Sequence, residues 1–295
     1  MIRQVEIQWM KALAVILADR APRGKGSTDG RVARVIDRRF IDIDAGPLEY
    51  RFDEGDPSLP TLVFLHEGLG SIDLWRDVPE QIRSAVGHPS SIVYARHGYG
   101  NSAAAELPRP VSYMHHEADV VLPALLSGLG VERPVLIGHS DGASIALLYA
   151  GAGHDVAAIV CFAPHVFVEQ ESIDGIEAAK ATFESTDMAE RMRKYHADPE
   201  GAFRGWNDAW LSPEFREWDI TDRLGAITAP TLLVQGADDQ YGTYAQLDAI
   251  AAGVAGEVEQ VRLDGAGHAP HLDRPDQVVA AVAGFLGRRG LMGPA

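Results

Sequence analysis

The chain has 295 residues, 46% hydrophobic and 23% charged, with 26 lysines and arginines against 42 aspartates and glutamates, a formal net charge of −16. Such a composition excludes wholesale disorder, and the negative balance argues against nucleic acid or an anionic membrane surface as a partner. Cys161 is the single cysteine, which excludes an intramolecular disulfide and any cysteine-built zinc or iron–sulfur site.

The first 30 residues read as an N-terminal extension and linker. The apolar run 12–18 is shorter than the roughly 20 residues a bilayer crossing needs, so it is expected to form an amphipathic helix that Pro22 ends. Residues 21–30 are polar and glycine-rich, the composition of a linker. The expected compartment is the cytoplasm. From Val32 to Phe52, two alternating stretches split by Gly46-Pro47 predict a β-hairpin. Short apolar runs then follow at 61–65, 92–95, 135–137, 157–162, 231–234 and 258–263. Between them lie stretches of helical periodicity, among them 116–128, 142–150, 244–254 and 275–288. Buried strands alternating with helices predict an α/β fold, a mostly parallel central sheet with helices on both faces. Residues 165–224 break the alternation. They hold no clear strand, carry Trp206, Trp210 and Trp218, and read as a helical cap inserted over one end of the sheet. The core would then comprise 31–164 and 225–295.

The chemistry concentrates in four motifs. Gly138-His139-Ser140-Asp141-Gly142 follows an apolar run and precedes a helical one, the strand–turn–helix setting that G-x-S-x-G requires. The sharp turn is expected to strain the serine and expose its hydroxyl at a helix N-terminus, with small residues at 138 and 142 relieving clashes. A serine hydroxyl needs a base. His268, in the glycine-rich loop after the last strand, is the candidate, and His271 its rival. The base needs a carboxylate, and Asp239 after the 231–234 strand is preferred to Asp238, which reads as a turn residue. His66-Glu67-Gly68-Leu69-Gly70 follows the 61–65 strand, so an amide near Gly68 and the amide of Asp141 are expected to form an oxyanion hole. His66, Trp206 and Trp210 are the candidate substrate contacts; the tryptophans could equally pack the cap onto the core. The cluster His115-His116-Glu117-x-Asp119 suits a polar helix start better than a metal site, so no metal is expected.

With these residues in hand, the sequence resembles the α/β-hydrolase superfamily over roughly Val32 to the C-terminus. The order Ser140, Asp239, His268 matches that arrangement, and Arg96-His97-Gly98-Tyr99-Gly100-Asn101-Ser102 resembles its R-x-G-x-G-x-S loop. The closest subgroup resembles capped hydrolases of the valacyclovir hydrolase and meta-cleavage-product hydrolase type. The resemblance implies a Ser140–His268–Asp239 triad. Two positions depart from it: Glu67 stands where many relatives carry glycine, and Ala269 where carbon–carbon bond hydrolases often show tryptophan. The serine argues against haloalkane dehalogenation, for which relatives use aspartate. The expected activity is hydrolysis of a small carboxylic ester, thioester or lactone through an acyl-enzyme, with no cofactor and a small molecule as the partner. The alternatives are carbon–carbon bond hydrolysis, acyl transfer and a weakly catalytic ligand-binding role. The sequence leaves homo-oligomerisation open.

Overall fold

A computed structural model describes residues 37–293; the expected N-terminal extension and linker lie outside them. Eight strands form one sheet in the order β1-β2-β4-β3-β5-β6-β7-β8. They are β1 (Arg38–Ile43), β2 (Gly46–Asp53), β3 (Leu62–Leu65), β4 (Ser91–Tyr94), β5 (Val135–His139), β6 (Ala158–Phe162), β7 (Thr231–Gly236) and β8 (Val258–Leu263). β2 runs antiparallel to both of its neighbours, and β3 to β8 pair in parallel. Residues of β3, β5 and β6 are buried throughout, because helices cover both faces and leave no side for polar residues. β8 closes the sheet, and Glu259, Gln260 and Arg262 make it a poor template for further pairing.

The hairpin forms, but its turn lies two residues earlier than expected. Asp44 and Ala45 make the turn, while Gly46 already pairs with Ile43 and Pro47 with Asp42. Gly46 sits at φ +105°, so the residue that needs glycine's freedom closes the turn rather than centring it.

Helix α1 (Val78–Ala85) packs against the last helix of the fold. The predicted 116–128 helix is three segments: α2 (Tyr113–His116), a π-helical stretch (Glu117–Val121) and α3 (Leu122–Gly128). In its polar start Glu117 is buried while His116 and Asp119 are exposed, so the cluster does not converge. Helix α4 (Asp141–Gly151), which leaves the serine turn, is buried along nearly its whole length, in keeping with its all-round apolar sequence.

Between β6 and β7 the chain makes α5 (Gln170–Ser185), α6 (Met188–Met192), α7 (Pro199–Trp210), a 3₁₀ turn (Pro213–Glu217) and α8 (Thr221–Leu224). Asp198 caps α7 by accepting from the Gly201 amide at 2.9 Å. Phe183 of α5 stacks on Phe203 of α7 at 3.9 Å and joins the two helices. After β7 come α9 (Ala245–Gly253), α10 (Pro270–Asp273) and α11 (Pro275–Arg288). Among the described residues no helix is long and apolar enough to cross a membrane.

Candidate active site

Ser140 stands between β5 and α4 with φ 52° and ψ −119°, a region that a residue with a Cβ rarely occupies. The surroundings hold it there. Its amide donates to Phe162 O on β6 at 2.9 Å, and its carbonyl accepts from the amides of Ala143 and Ser144 at 2.8 and 3.1 Å. The flanking glycines have separate jobs. A Cβ at Gly138 would collide with the backbone of Gly142 and Ala143 in the departing helix; one at Gly142 would enter the carbonyl of Leu65 at the end of β3. The turn thus meets its own helix on one side and the neighbouring strand on the other.

Asp239 and His268 arrive on two loops that are fastened together. The Ala237 amide donates to Leu263 O at 2.8 Å and the Asp238 amide to Ala266 O at 2.9 Å. Gly236 makes this approach possible, since a Cβ there would overlap the carbonyl of Ala266. His268 Nδ1 donates to Asp239 Oδ1 at 2.9 Å, which leaves the Nε2 lone pair as the ring's basic site. Asp239 also accepts from the Tyr241 amide at 2.9 Å and from Gln235 Nε2 at 3.1 Å. Burial alone would push the Asp239 carboxyl up. The charge and hydrogen bond of His268, with the Tyr241 amide, outweigh it and hold the group below its usual range. Asp238 points to solvent.

Ser140, His268 and Gly68 line one cavity, whose far wall comes from the helices between β6 and β7. Trp206 and Trp210 both face it. Trp206 also packs against the core, because its indole fills the place that a Gly68 side chain would occupy. Asp208, between them in sequence, is exposed to solvent. Asp141 opens α4, where a first-turn amide has no partner within the helix. Its carboxylate is fully buried, accepting from Tyr113 Oη at 2.6 Å with Arg96 Nη1 at 3.5 Å.

His66 is a correction. The expected substrate contact is fully buried, with both ring nitrogens engaged: Nδ1 donates to Glu67 O at 2.6 Å and Nε2 accepts from the Arg96 amide at 3.0 Å. It fixes the loop after β3 to the loop after β4 and does not line the cavity. Burial and the nearby Arg96 charge hold its pKa well below the usual histidine value. His268, and not its rival His271, is the histidine hydrogen-bonded to the Asp239 carboxylate. His271 packs elsewhere. It stacks on Phe162 at 5.2 Å and lies edge-on to His139 at 4.6 Å, inside the core.

A model of the alpha/beta hydrolase family matches residues 62–281, most of the chain. The chain belongs to the α/β-hydrolase family. Epoxide hydrolase A of Mycobacterium tuberculosis is 24% identical over 316 aligned positions, which cover 83% of this chain and 96% of that protein. Among solved structures, a hydrolase from Pseudomonas aeruginosa matches with a TM-score of 0.67 and 23% identity, covering 85% of this chain and 98% of the other. The enol-lactonase from Burkholderia xenovorans gives a TM-score of 0.66 and 18% identity, over 84% and 100% of the two chains. At these identities the structural matches bear on the fold alone.

The fifth motif of this α/β hydrolase is scaffolding. Arg96 is fully buried and its Nη2 donates to Glu67 O at 2.8 Å. Ser102 Oγ donates to Ala95 O at 2.7 Å and accepts from the Glu49 amide at 2.8 Å. Three further residues in or behind the cavity wall escaped the sequence reading. Glu67 lines the cavity, with His139 Nδ1 at 3.4 Å from its Oε2, and the same imidazole donates through Nε2 to His268 O at 2.7 Å. His196 clamps the inserted helices to the core: Nε2 donates to Leu69 O at 3.1 Å and Nδ1 accepts from the Gly100 amide at 3.1 Å. Tyr113 joins Trp210 to Asp141, accepting from the Trp210 indole at 3.0 Å while donating to the carboxylate. Only Glu67 had left a trace in the sequence, as a carboxylate inside a glycine-rich loop.

Proposed function

We propose that this α/β hydrolase is a serine hydrolase that cleaves a small carboxylic ester, thioester or lactone through an acyl-enzyme. The observation that carries the reading is His268, tied through Nδ1 to the buried Asp239 carboxylate while its ring lines the same cavity as the strained Ser140. Ser140 Oγ attacks the carbonyl carbon as its proton passes to His268 Nε2. The carbonyl π pair moves onto oxygen and is met by the amides of Asp141 and the Gly68 loop. Collapse expels the alcohol or thiol, which takes the proton from His268. A water then gives a proton to His268 as it attacks the acyl carbon; collapse breaks the bond to Oγ, which takes that proton back from His268, and releases the acid. Asp239 holds the Nδ1–H tautomer and faces the imidazolium. The helices between β6 and β7 act as a cap that restricts substrate size.

The serine also favours carbonyl substrates over epoxides. Opening an epoxide through Ser140 would leave an alkyl ether on the serine, which has no electrophilic carbonyl for water to attack. Labelling with a fluorophosphonate, followed by mass mapping, tests the reading. The expected result is one adduct on Ser140, lost in Ser140→Ala. No adduct on folded protein would overturn it and bring the ligand-binding reading forward.

A further inference from the structure

One histidine of the cavity wall keeps an acceptor that the protein does not use. His165 follows β6 and lines the same cavity as Ser140 and His268, its ring 5.6 Å from the His268 ring. Only 2% of it is exposed. Its surroundings fix its tautomer. Nε2 lies 3.2 Å from Tyr241 O, and Ser172 Oγ lies 2.5 Å from the same oxygen. A carbonyl oxygen only accepts, so both groups donate to it. With its proton on Nε2, the neutral ring carries a bare lone pair on Nδ1. Nδ1 is buried and has no hydrogen-bond partner among the described residues. The packing of the ring turns that nitrogen to the cavity side. The Nε2–Cδ2 edge lies on Gly242, where a Cβ would stand 3.2 and 3.5 Å from the two atoms, so the edge through Nδ1 is the one left for the wall. Burial and the His268 charge lower the His165 pKa, outweighing Asp239, the Tyr241 carbonyl and Asp141, and keep the ring neutral. Its polar neighbours in the wall are engaged. His196 spends both nitrogens on backbone, Ser172 gives its proton to Tyr241 O, and Glu67 faces His139.

We infer that His165 Nδ1 is a substrate-recognition group that accepts a hydrogen bond from a hydroxyl beside the scissile carbonyl, so that the preferred substrates are hydroxy esters with an apolar body. The apolar body follows from Leu69, Leu74, Ile176 and the two tryptophans around the same space. The short distance between the His165 and His268 rings puts the acceptor a few bonds from the carbonyl that Ser140 attacks. The inference rests on the serine-hydrolase reading for its reaction, but its binding step is separate. A buried acceptor without a donor costs free energy; a hydroxylated substrate recovers it, and the same substrate without the hydroxyl does not.

Two pairs of esters test it, with hydrolysis followed by pH-stat at pH 7.5. Methyl mandelate against methyl phenylacetate places the hydroxyl on the acyl side; 2-hydroxyethyl against propyl phenylacetate places it on the alcohol side. In at least one pair the hydroxylated ester is expected to have a kcat/KM at least about 10-fold higher. His165→Phe should narrow that ratio about 10-fold while changing the plain ester less than about 3-fold. Ratios near one in both pairs overturn the inference, and so does an equal loss on both members, which is what a purely structural role would give. Binding to Ser140→Ala separates the inference from the hydrolase reading and decides where His165→Phe does not fold. The hydroxylated ester should bind more tightly by calorimetry and shift the ¹⁵N resonance of His165 Nδ1, which the plain ester leaves in place. That pair of results upholds the recognition even where Ser140 takes no fluorophosphonate. Equal binding, or a resonance that does not move, overturns it even where Ser140 labels fully.

Discussion

Tyr113→Phe removes one oxygen and should cost far more than such a change usually does. The Tyr113 hydroxyl accepts from Trp210 Nε1 at 3.0 Å and donates to Asp141 Oδ2 at 2.6 Å, and all three side chains are buried. Burial and the Asp141 charge hold the phenol well above its ordinary pKa, so it keeps the proton it donates. Without the oxygen, the indole N–H is left as a buried, unpaired donor, a cost of about 1–3 kcal/mol. The carboxylate loses its shortest hydrogen bond, worth about 1.5–3 kcal/mol to a charged group, and keeps only the longer approach of Arg96. The two losses share one atom and do not simply add, so about 3–5 kcal/mol is expected, or a fall in Tm of about 6–20 °C. Urea unfolding with an unchanged m-value measures it. Tyr94→Phe is the control. The Tyr94 hydroxyl is buried with no partner among the described residues, so its removal should cost less than about 1 kcal/mol. A Tyr113→Phe loss no larger than the control's would refute the reasoning.

Asp239→Asn should leave the fold standing and lower kcat about 10³–10⁴-fold with little change in KM, because an amide nitrogen facing His268 Nδ1 favours the wrong tautomer; steady-state kinetics on a neutral ester checks it. Gly142→Ala should destabilise the protein by more than about 4 kcal/mol or prevent folding, since the new Cβ would meet the Leu65 backbone, which has no rotamer to yield; circular dichroism and thermal unfolding decide. Stability should fall steeply as pH drops below 6.5. His66, His196 and His271 have lowered pKa values in the fold, so the unfolded chain binds their protons first, and stability present above 6.5 is lost until the folded values are reached, about 4 for His196. Three such groups give a slope of about 4 kcal/mol per pH unit near pH 5, and a flat urea midpoint between pH 6.5 and 5 would contradict it.

What was legible in the sequence follows the reach of each signal. β3 to β7 begin within a residue of the apolar runs because a strand buried on both faces must be largely apolar, and that requirement is local. Asp239 and His268 were legible as the loops that end β7 and β8, a consequence of parallel topology. Helix α1 was not, because its apolar residues Val78 and Ile82 are few and Arg83 lies among them. That arginine is buried, donating to the carbonyls of Pro89 and Glu54. His66 was misassigned for a related reason. Its neighbours suggested a place at the active site, but its role is set by the Arg96 amide, 30 residues away in sequence. Tyr113 carries no motif; its role depends on Trp210 and Asp141, which lie 97 and 28 residues from it.

The division between sheet loops and inserted helices has a consequence for how this chain can change. The proposed reactive groups sit on loops after β3, β5, β7 and β8, and the last two of these loops bind each other through backbone. The apolar wall comes mainly from one continuous insert. Exchanging that insert should therefore recast the shape of the cavity while leaving the reactive loops in register, subject to three seams. They are the Trp206 indole lying over Gly68, the Trp210–Tyr113–Asp141 chain and the His196 clamp on Leu69 and Gly100. A library that varies Ile176, Met188 and Met192 and keeps His196 and both tryptophans would explore new substrates on an intact frame; a transplanted insert without them would arrive with its three anchor points missing.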